Sequence, residues 1–409
     1  VRLGNIASDR FDLLRAAPYF DGGVLKLVIG GQAGYSGRQQ EIVQNSSAHD
    51  AVALAPYFGV LDSWSSDEEI FGPLLAMPFY EVAAGRMRES SGYLDAGSGT
   101  DMSIYEINFH TTHGNAPIEI RNDFLTGMGG GLALPLTMLV YQRDLAARDQ
   151  CAFSSLQYSF RLEGGDMARL WGMLRDVEAT GRKRPTWLGV ETVNKAVMGS
   201  ALRTEHSGDD PTWVQSAVNG IGEETRVQEV QSFAFADGPM RGVVLFNLSL
   251  DQPRRVRLEF DGLPGGAFQY LLSAESIHDD NEDSTTIVID SMLVFEFQSG
   301  NEFFLPPHSV MALRWQNAVM SADTPPQPGE YALSAYSTPD RRLHVQYELP
   351  IESNVRIDVY DVLGRHRARL ADQQRVAGTH TISWNAHSAG TYFIHLRTPD
   401  ASQVVRVVV

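Results

Sequence analysis

The sequence predicts a multidomain chain, with a parallel sheet covered by helices first, a β-sandwich second and a small all-β module last. Three observations carry this. Up to about residue 198, apolar strand-like runs alternate with stretches of helical spacing, the pattern of a parallel sheet with helical crossovers. From about 199 to 317 only short alternating runs remain, divided by turn residues, which is a sandwich pattern. The stretch Asp323-Thr-Pro-Pro-Gln-Pro-Gly329 then reads as a semi-rigid linker over 318–330, and it sets off a separate module at 331–409.

In chain order, residues 7–17 read as a helix. The first residue is Val, and no leader peptide precedes the helix, so the chain is expected to be a fragment or a trimmed product. Strands are predicted at Val24–Ile29, Ala51–Ala55, Met102–Phe109 and Ala152–Tyr158, and helices over 67–89, 132–147, 166–178 and 185–197. Gly30-Gly-Gln-Ala-Gly34 follows the first strand, but it has neither dinucleotide-loop spacing nor the Lys-Ser/Thr of a phosphate loop. In the second region the alternating runs are Gly242–Leu248, Arg255–Phe260, Met292–Phe297 and Ser309–Trp315, with Asp261-Gly262 and Pro264-Gly-Gly266 as turns. His278-Asp-Asp-Asn-Glu-Asp283 lacks the glycine and terminal glutamate of a calcium loop and is expected to be a solvated acidic turn. The last module has strands at Leu343–Leu349, Val355–Val362, His380–Trp384, Thr391–Leu396 and Val404–Val409, with no helix-forming segment.

The formal charge of −17 over 409 residues, with acids and bases interspersed, argues against nucleic acid or an anionic membrane surface as partner and fits a neutral substrate. No apolar run is long enough for a helical membrane span. Cys151 is the single cysteine, so an intrachain disulfide and a thiolate metal cluster are both excluded, and a buried strand thiol is its expected role.

Chemistry is expected in Met102-Ser-Ile-Tyr-Glu-Ile-Asn-Phe-His110, where Glu106 stands near the C-terminal end of an apolar strand. A carboxylate there is costly to bury unless it is hydrogen-bonded, and strand ends are where (β/α)-barrel enzymes keep their chemistry. The bland reading is a solvent-facing strand-end glutamate. Asn108, His110 and His113 follow on the same segment; two histidines three residues apart suggest a metal pair, but no third ligand is evident and no metal or cofactor is expected.

Residues 1 to about 317 resemble the C-terminal half of a clan of retaining (β/α)8-barrel glycoside hydrolases, near the α-L-arabinofuranosidases. The matching pieces, in order, are Leu3-Gly-Asn-Ile-Ala-Ser-Asp-Arg-Phe11 for the helix after the fourth strand, Leu25–Gly34 for the fifth strand and Asp50–Tyr57 for the sixth. The strand bearing Glu106 is then the seventh, Cys151–Tyr158 the eighth, and Phe304-Leu-Pro-Pro-His-Ser-Val310 closes the sandwich. The resemblance implies a partial barrel over 1–198 (strands five to eight) and a β-sandwich over 199–317. Glu106 would be the nucleophile and Tyr57 its hydrogen-bond donor, with Trp64, Asn108, His110, His113, Gln157 and Tyr158 binding a poly- or oligosaccharide. It places the acid/base carboxyl after the fourth strand, ahead of this chain; Glu41 and Asp62 do not fit that role. The chain is therefore expected to be inactive alone. The rival reading is a non-catalytic carbohydrate-binding or cell-surface adhesion protein.

Residues 331–409 resemble the Ig-like type IX secretion sorting domain of Bacteroidota-type bacteria. Tyr347-Glu-Leu-Pro350, Val355–Arg365, Ala377-Gly-Thr-His380, Ser383-Trp-Asn385 and Ala389-Gly-Thr-Tyr392 carry the likeness, with Gly364, Gly378 and Gly390 at expected hairpin turns. Thr338-Pro-Asp340 replaces the family's Asn-Pro, and Gln403–Val409 is less basic than usual. The likeness implies export by the type IX machinery to the outer-membrane surface or medium, with a signal peptide upstream.

Overall fold

The computed structural model describes every residue except 1, 48, 95–99, 157–158, 263, 296, 318–330, 339–340 and 362–364. The expected linker and Gly364 thus lie outside the described residues. The chain divides into two compact units, Val1–Ala318 and Val319–Val409. No helix is long and apolar enough to cross a membrane among the described residues.

The first unit holds helices α1 (Arg2–Arg15), α2 (Ser36–Gln44), α3 (Asp67–Ala83), α4 (Arg86–Leu94), α5 (Ile118–Thr126), α6 (Met128–Leu145) and α7 (Pro185–Asn194). Between them run strands β1 (Val28–Gly30), β2 (Ala51–Leu54), β3 (Tyr57–Phe58), β4 (Asp101–Phe109) and β5 (Asp149–Ala152). All their pairings are parallel: β1 on β2, β2 and then β3 on β4, and β4 on β5. Pro56 has no N–H to give the ladder, which accounts for the break between β2 and β3. Helices α3 and α6 are buried in unbroken runs, Ile70–Pro78 and Met128–Thr137, as helices apolar on all sides must be. Helices α6 and α7 cross at glycines, where a Cβ on Gly189 would stand 1.9 Å from the carbonyl oxygen of Gly131.

Several expectations are corrected here. The helix predicted over 166–178 is instead two short antiparallel ladders, Phe160–Arg161 with Met167–Ala168 and Leu174–Arg175 with Arg182–Lys183. Gly164 and Gly165, at φ of 128° and 97°, reverse the chain where the helix would have to form. The stretch 67–89 is two helices parted after Ala83, and α2 and α5 were not anticipated because they bury few apolar side chains. The last parallel strand lies at Asp149–Ala152, earlier than predicted, and Cys151 is exposed rather than buried because β5 is the outer strand of the sheet.

The sandwich region is a six-stranded sheet in the order Ser200–Leu202, Val230–Asp237, Met240–Asn247, Ser309–Asn317, Pro264–Leu272, Asp290–Phe295. Alternation along its strands divides two cores. Phe233, Phe235, Val244, Phe246, Val310 and Ala312 join the α/β core. Val243, Leu245, Met311, Leu313 and Trp315 face the hairpin Arg254–Leu258/Asn301–Leu305.

The acidic segment 278–283 is not the solvated turn expected. Asn281 and Glu282 are buried at 1% and 3% exposure. Glu282 meets the fully buried Arg184 at 2.6 Å, Arg169 at 2.8 Å and Arg175 at 3.2 Å. His278 bridges Asp123 at 2.5 Å and Asp67 at 2.9 Å; these bonds outweigh burial and raise its pKa. Glu282 and His278 thus join the sandwich to α3, α5 and the segment before α7.

The second unit packs a three-stranded sheet (Ala332–Ser337, Arg342–Leu349, Gly378–Asn385) and a four-stranded sheet (His366–Arg375, Ser353–Asp361, Thr391–Arg397, Ser402–Val408) around its own core. On the outer side of the latter, buried Asp358 accepts from Arg356, Arg369, Arg397 and His366 at 2.6–2.9 Å. Burial alone would raise its pKa; those donors hold it far below the usual carboxylate range.

Glu282→Gln keeps the shape of the hub and removes its charge, leaving Arg184 buried without a counter-ion. Chemical denaturation of the variant is expected to show a loss of about 3–5 kcal/mol. A loss within roughly 0.5 kcal/mol, as for surface substitutions, would refute the hub's structural role.

Candidate active site

Strand β4 does not run evenly along β5. Ile104 is opposite Gln150 and Ile107 opposite Ala152, so β4 carries one extra residue between them. Such a bulge re-aims side chains. Met102 and Ile104 before it, and Ile107 and Phe109 after it, are all buried among the apolar residues of the core. The extra residue turns Tyr105, 49% exposed, and half-buried Glu106 away from that core.

Tyr57 of β3 is paired with Asn108, and Phe58 with Phe109. The two phenylalanines pack edge-on at 5.0 Å, which leaves Tyr57 on the side of Glu106. The Tyr57 hydroxyl donates to Oε2 of Glu106 at 2.9 Å. Burial, then the bond to and charge of Glu106, raise the phenol's pKa, so it stays a neutral donor across the physiological range. Trp171 packs edge-on to Tyr57 at 5.8 Å and is anchored by its indole N–H to the Phe109 carbonyl at 2.9 Å.

The other expected residues divide. His110 lines the same cavity as Glu106, its ring 6.2 Å from Tyr57 and stacked on His113 at 4.3 Å. Burial and then His113 lower its pKa, favouring a neutral ring at pH 7. His113 itself is exposed. Asn108 is buried and committed to framework: its amide donates to the carbonyls of Phe153 and Trp171, and its oxygen accepts the Phe109 N–H at 2.8 Å. Trp64 is 36% exposed on a loop whose Asp62 and Ser63 N–H groups are held by Asn219, and it is not among the residues lining the cavity. Gln157 and Tyr158 lie outside the described residues.

The cavity measures about 630 Å³ and brings Gln32, Tyr105 and Arg86 to the same space as Glu106, Tyr57 and His110. Neither Gln32 nor Arg86 was anticipated, because neither lies beside Glu106 in sequence. Trp171 was missed for the same reason. Glu81 is a second carboxyl on the lining; burial raises its pKa, and its Oε2 accepts the Met87 N–H at 2.9 Å, which caps α4. A carboxylate held by a neutral phenol beside an open cavity can attack an electrophilic carbon or anchor a polyol.

The fold that carries this site is shared with solved arabinofuranosidases. Similar solved structures include the α-L-arabinofuranosidase of Thermotoga maritima in its arabinose complex, at 10% identity and a TM-score of 0.56, with 77% of this chain and 62% of that one covered. The family 51 arabinofuranosidase of Xanthomonas axonopodis pv. citri matches at 16% identity and a TM-score of 0.54, covering 76% of this chain and 63% of that one. The chain thus spans less than two thirds of the length of these structures. No protein-family profile and no curated protein sequence matches it.

Because Tyr57 is held neutral in the folded chain, its contribution to stability is complete below about pH 10 and fades as pH climbs toward its raised value. In an ultraviolet titration of phenolate absorbance, Tyr57→Phe is expected to remove only a component that titrates later than the exposed tyrosines. Loss of amplitude near pH 10 instead would mean that Tyr57 is free of Glu106.

Proposed function

We propose that this chain is part of a retaining, arabinofuranosidase-like glycoside hydrolase acting on oligo- or polysaccharide. The observation that carries the reading is the Tyr57–Glu106 hydrogen bond of 2.9 Å at the ends of adjacent parallel strands. Under it, residues 1–198 are the C-terminal half of a (β/α)8 barrel, with β1, the β2–β3 pair, β4 and β5 as strands five to eight, and 199–317 are the sandwich that follows. The order of these strands and the likeness to solved arabinofuranosidases support that assignment.

Glu106 attacks the anomeric carbon and Tyr57 holds the attacking oxygen in place, while the neutral His110 and the exposed Tyr105 face the sugar. A retaining mechanism needs a second carboxyl about 5–5.5 Å from the first; the resemblance places that acid/base after the fourth strand of the barrel. A mechanism-based glycosyl fluoride loses its leaving group without acid assistance, so it tests Glu106 in this chain directly. Incubation with a 2-fluoro-arabinofuranosyl fluoride should add one sugar to the peptide containing Glu106, and Glu106→Gln should abolish it. Labelling of another residue, or none, would sink the assignment.

For residues 331–409 we propose type IX sorting to the outer-membrane surface or the medium. The compact unit with its own core and the motif order from Tyr347-Glu-Leu-Pro350 onward support it. Fused to a passenger carrying a leader peptide in a type IX-competent host, this unit should bring the passenger to the cell surface or medium. Retention of the fusion in the periplasm would refute the sorting role.

A further inference from the structure

A second constellation of reactive side chains lies in the first unit, away from Glu106. The loop after Ser200–Leu202 carries His206 and Asp210, and the neighbouring strand Val230–Asp237 carries Ser232. Nε2 of His206 stands 2.8 Å from the hydroxyl of Ser232, and Nδ1 stands 3.0 Å from Oδ2 of Asp210. The carboxylate fixes the tautomer, so Nδ1 carries the proton and Nε2 accepts from the serine. The arrangement is tied down. Gln228 donates to the same Oδ2 at 2.5 Å, and the Thr204 hydroxyl donates to the Ser232 carbonyl at 3.2 Å.

All three members line a cavity of about 590 Å³, distinct from that of Glu106. Arg143 and Gln142 of α6 line it as well, the guanidinium of Arg143 paired with Asp144 and lying over the Phe233 ring, and Leu139 and Phe233 supply apolar wall.

We propose that Ser232, His206 and Asp210 form a second active centre that hydrolyses carboxylic esters. Ser232 Oγ attacks the ester carbonyl while Nε2 of His206 takes its proton, and Asp210 steadies the imidazolium. The tetrahedral intermediate collapses, the C–O bond to the alcohol breaks, and His206 returns the proton to the leaving oxygen. Water, deprotonated by the same nitrogen, then releases the acid from the acyl-serine and restores the hydroxyl. The net reaction is ester plus water to acid plus alcohol, with no further reactant. This centre does not depend on the role of Glu106.

The test uses the 409-residue chain. A fluorophosphonate probe should add once, to the peptide containing Ser232, and p-nitrophenyl acetate should be turned over with a rate that rises as a histidine loses its proton. Ser232→Ala removes a single oxygen and should abolish labelling. His206→Gln should lower turnover by about a thousandfold or more, as the loss of a base from a triad does. A purely structural hydrogen-bond chain would move neither labelling nor the pH profile. If the probe does not label Ser232 in the unsubstituted chain, or if either variant hydrolyses the ester at the original rate, the proposal is wrong.

Discussion

The buried carboxylate of Glu282 is the constraint on which the rest of the first unit hangs. It sits at 3% exposure with Arg184, Arg169 and Arg175 around it, and its energy is dominated by what would happen if any partner were lost. An isolated buried charge costs several kcal/mol, so the turn of the sandwich and the segment before α7 must meet in one geometry. Arg184 passes that constraint onward by donating to the Gly172 carbonyl at 2.6 Å. Next to Gly172 stands Trp171, at a φ of 56°, which a non-glycine residue adopts only when its surroundings enforce it. Trp171 is pinned to the Phe109 carbonyl and packs on Tyr57. A contact between two layers of the fold therefore ends by positioning the phenol that holds Glu106.

Two local devices finish the site. The bulge in β4 spends one residue to turn Tyr105 and Glu106 away from the apolar side, which Met102, Ile104, Ile107 and Phe109 occupy without interruption. Without it, strict alternation would place Glu106 on the face of Met102 and Ile104. The Tyr57 donor then offsets part of the cost of keeping a carboxylate half-buried, a hydrogen bond to a charged group contributing about 1.5–3 kcal/mol. Asn108 is not idle here. By taking two carbonyls of the following loops it holds Phe153 and Trp171 near the rim, a framework role.

The central strands were legible because each depends on local pattern, Ala51–Leu54 being wholly apolar and Asp101–Phe109 rich in apolar residues, whereas the Tyr57–Glu106 pair was expected only from the family resemblance. What was not legible depends on partners far along the chain. Asp280, Glu282 and Asp283 read as solvent-facing by composition, and only the arginines about a hundred residues earlier make Glu282 buried. The false helix at 166–178 had apolar residues at suitable spacing, but Gly164, Gly165 and the strained Trp171 set local conformations that helical periodicity does not record. His206, Asp210 and Ser232 carry no mutual signal in sequence, since the strand pairing of Ser200–Leu202 with Ala234–Ala236 is what draws the loop beside the serine.

The charge of the chain is unevenly placed, and this bears on both cavities. Residues 331–409 hold nine arginines and no lysine against seven acids, while the whole chain stands at −17. The acidity therefore belongs to the first 330 residues, which contain both candidate sites. A field of that sign slows the approach of anions and leaves neutral molecules unaffected. Uncharged glycosides and uncharged esters meet that condition, whereas uronates, phosphorylated sugars and sulfated polymers would approach against the field. In the second unit Arg356, Arg369 and Arg397 meet Asp358, and Arg365 and Arg367 meet Asp361, so these charges are held by the same kind of carboxylate hub that organises the first unit. Both units thus convert a buried acid into a geometric anchor. In the first the anchor leads, through Gly172 and Trp171, to the cavity lined by Tyr57 and Glu106.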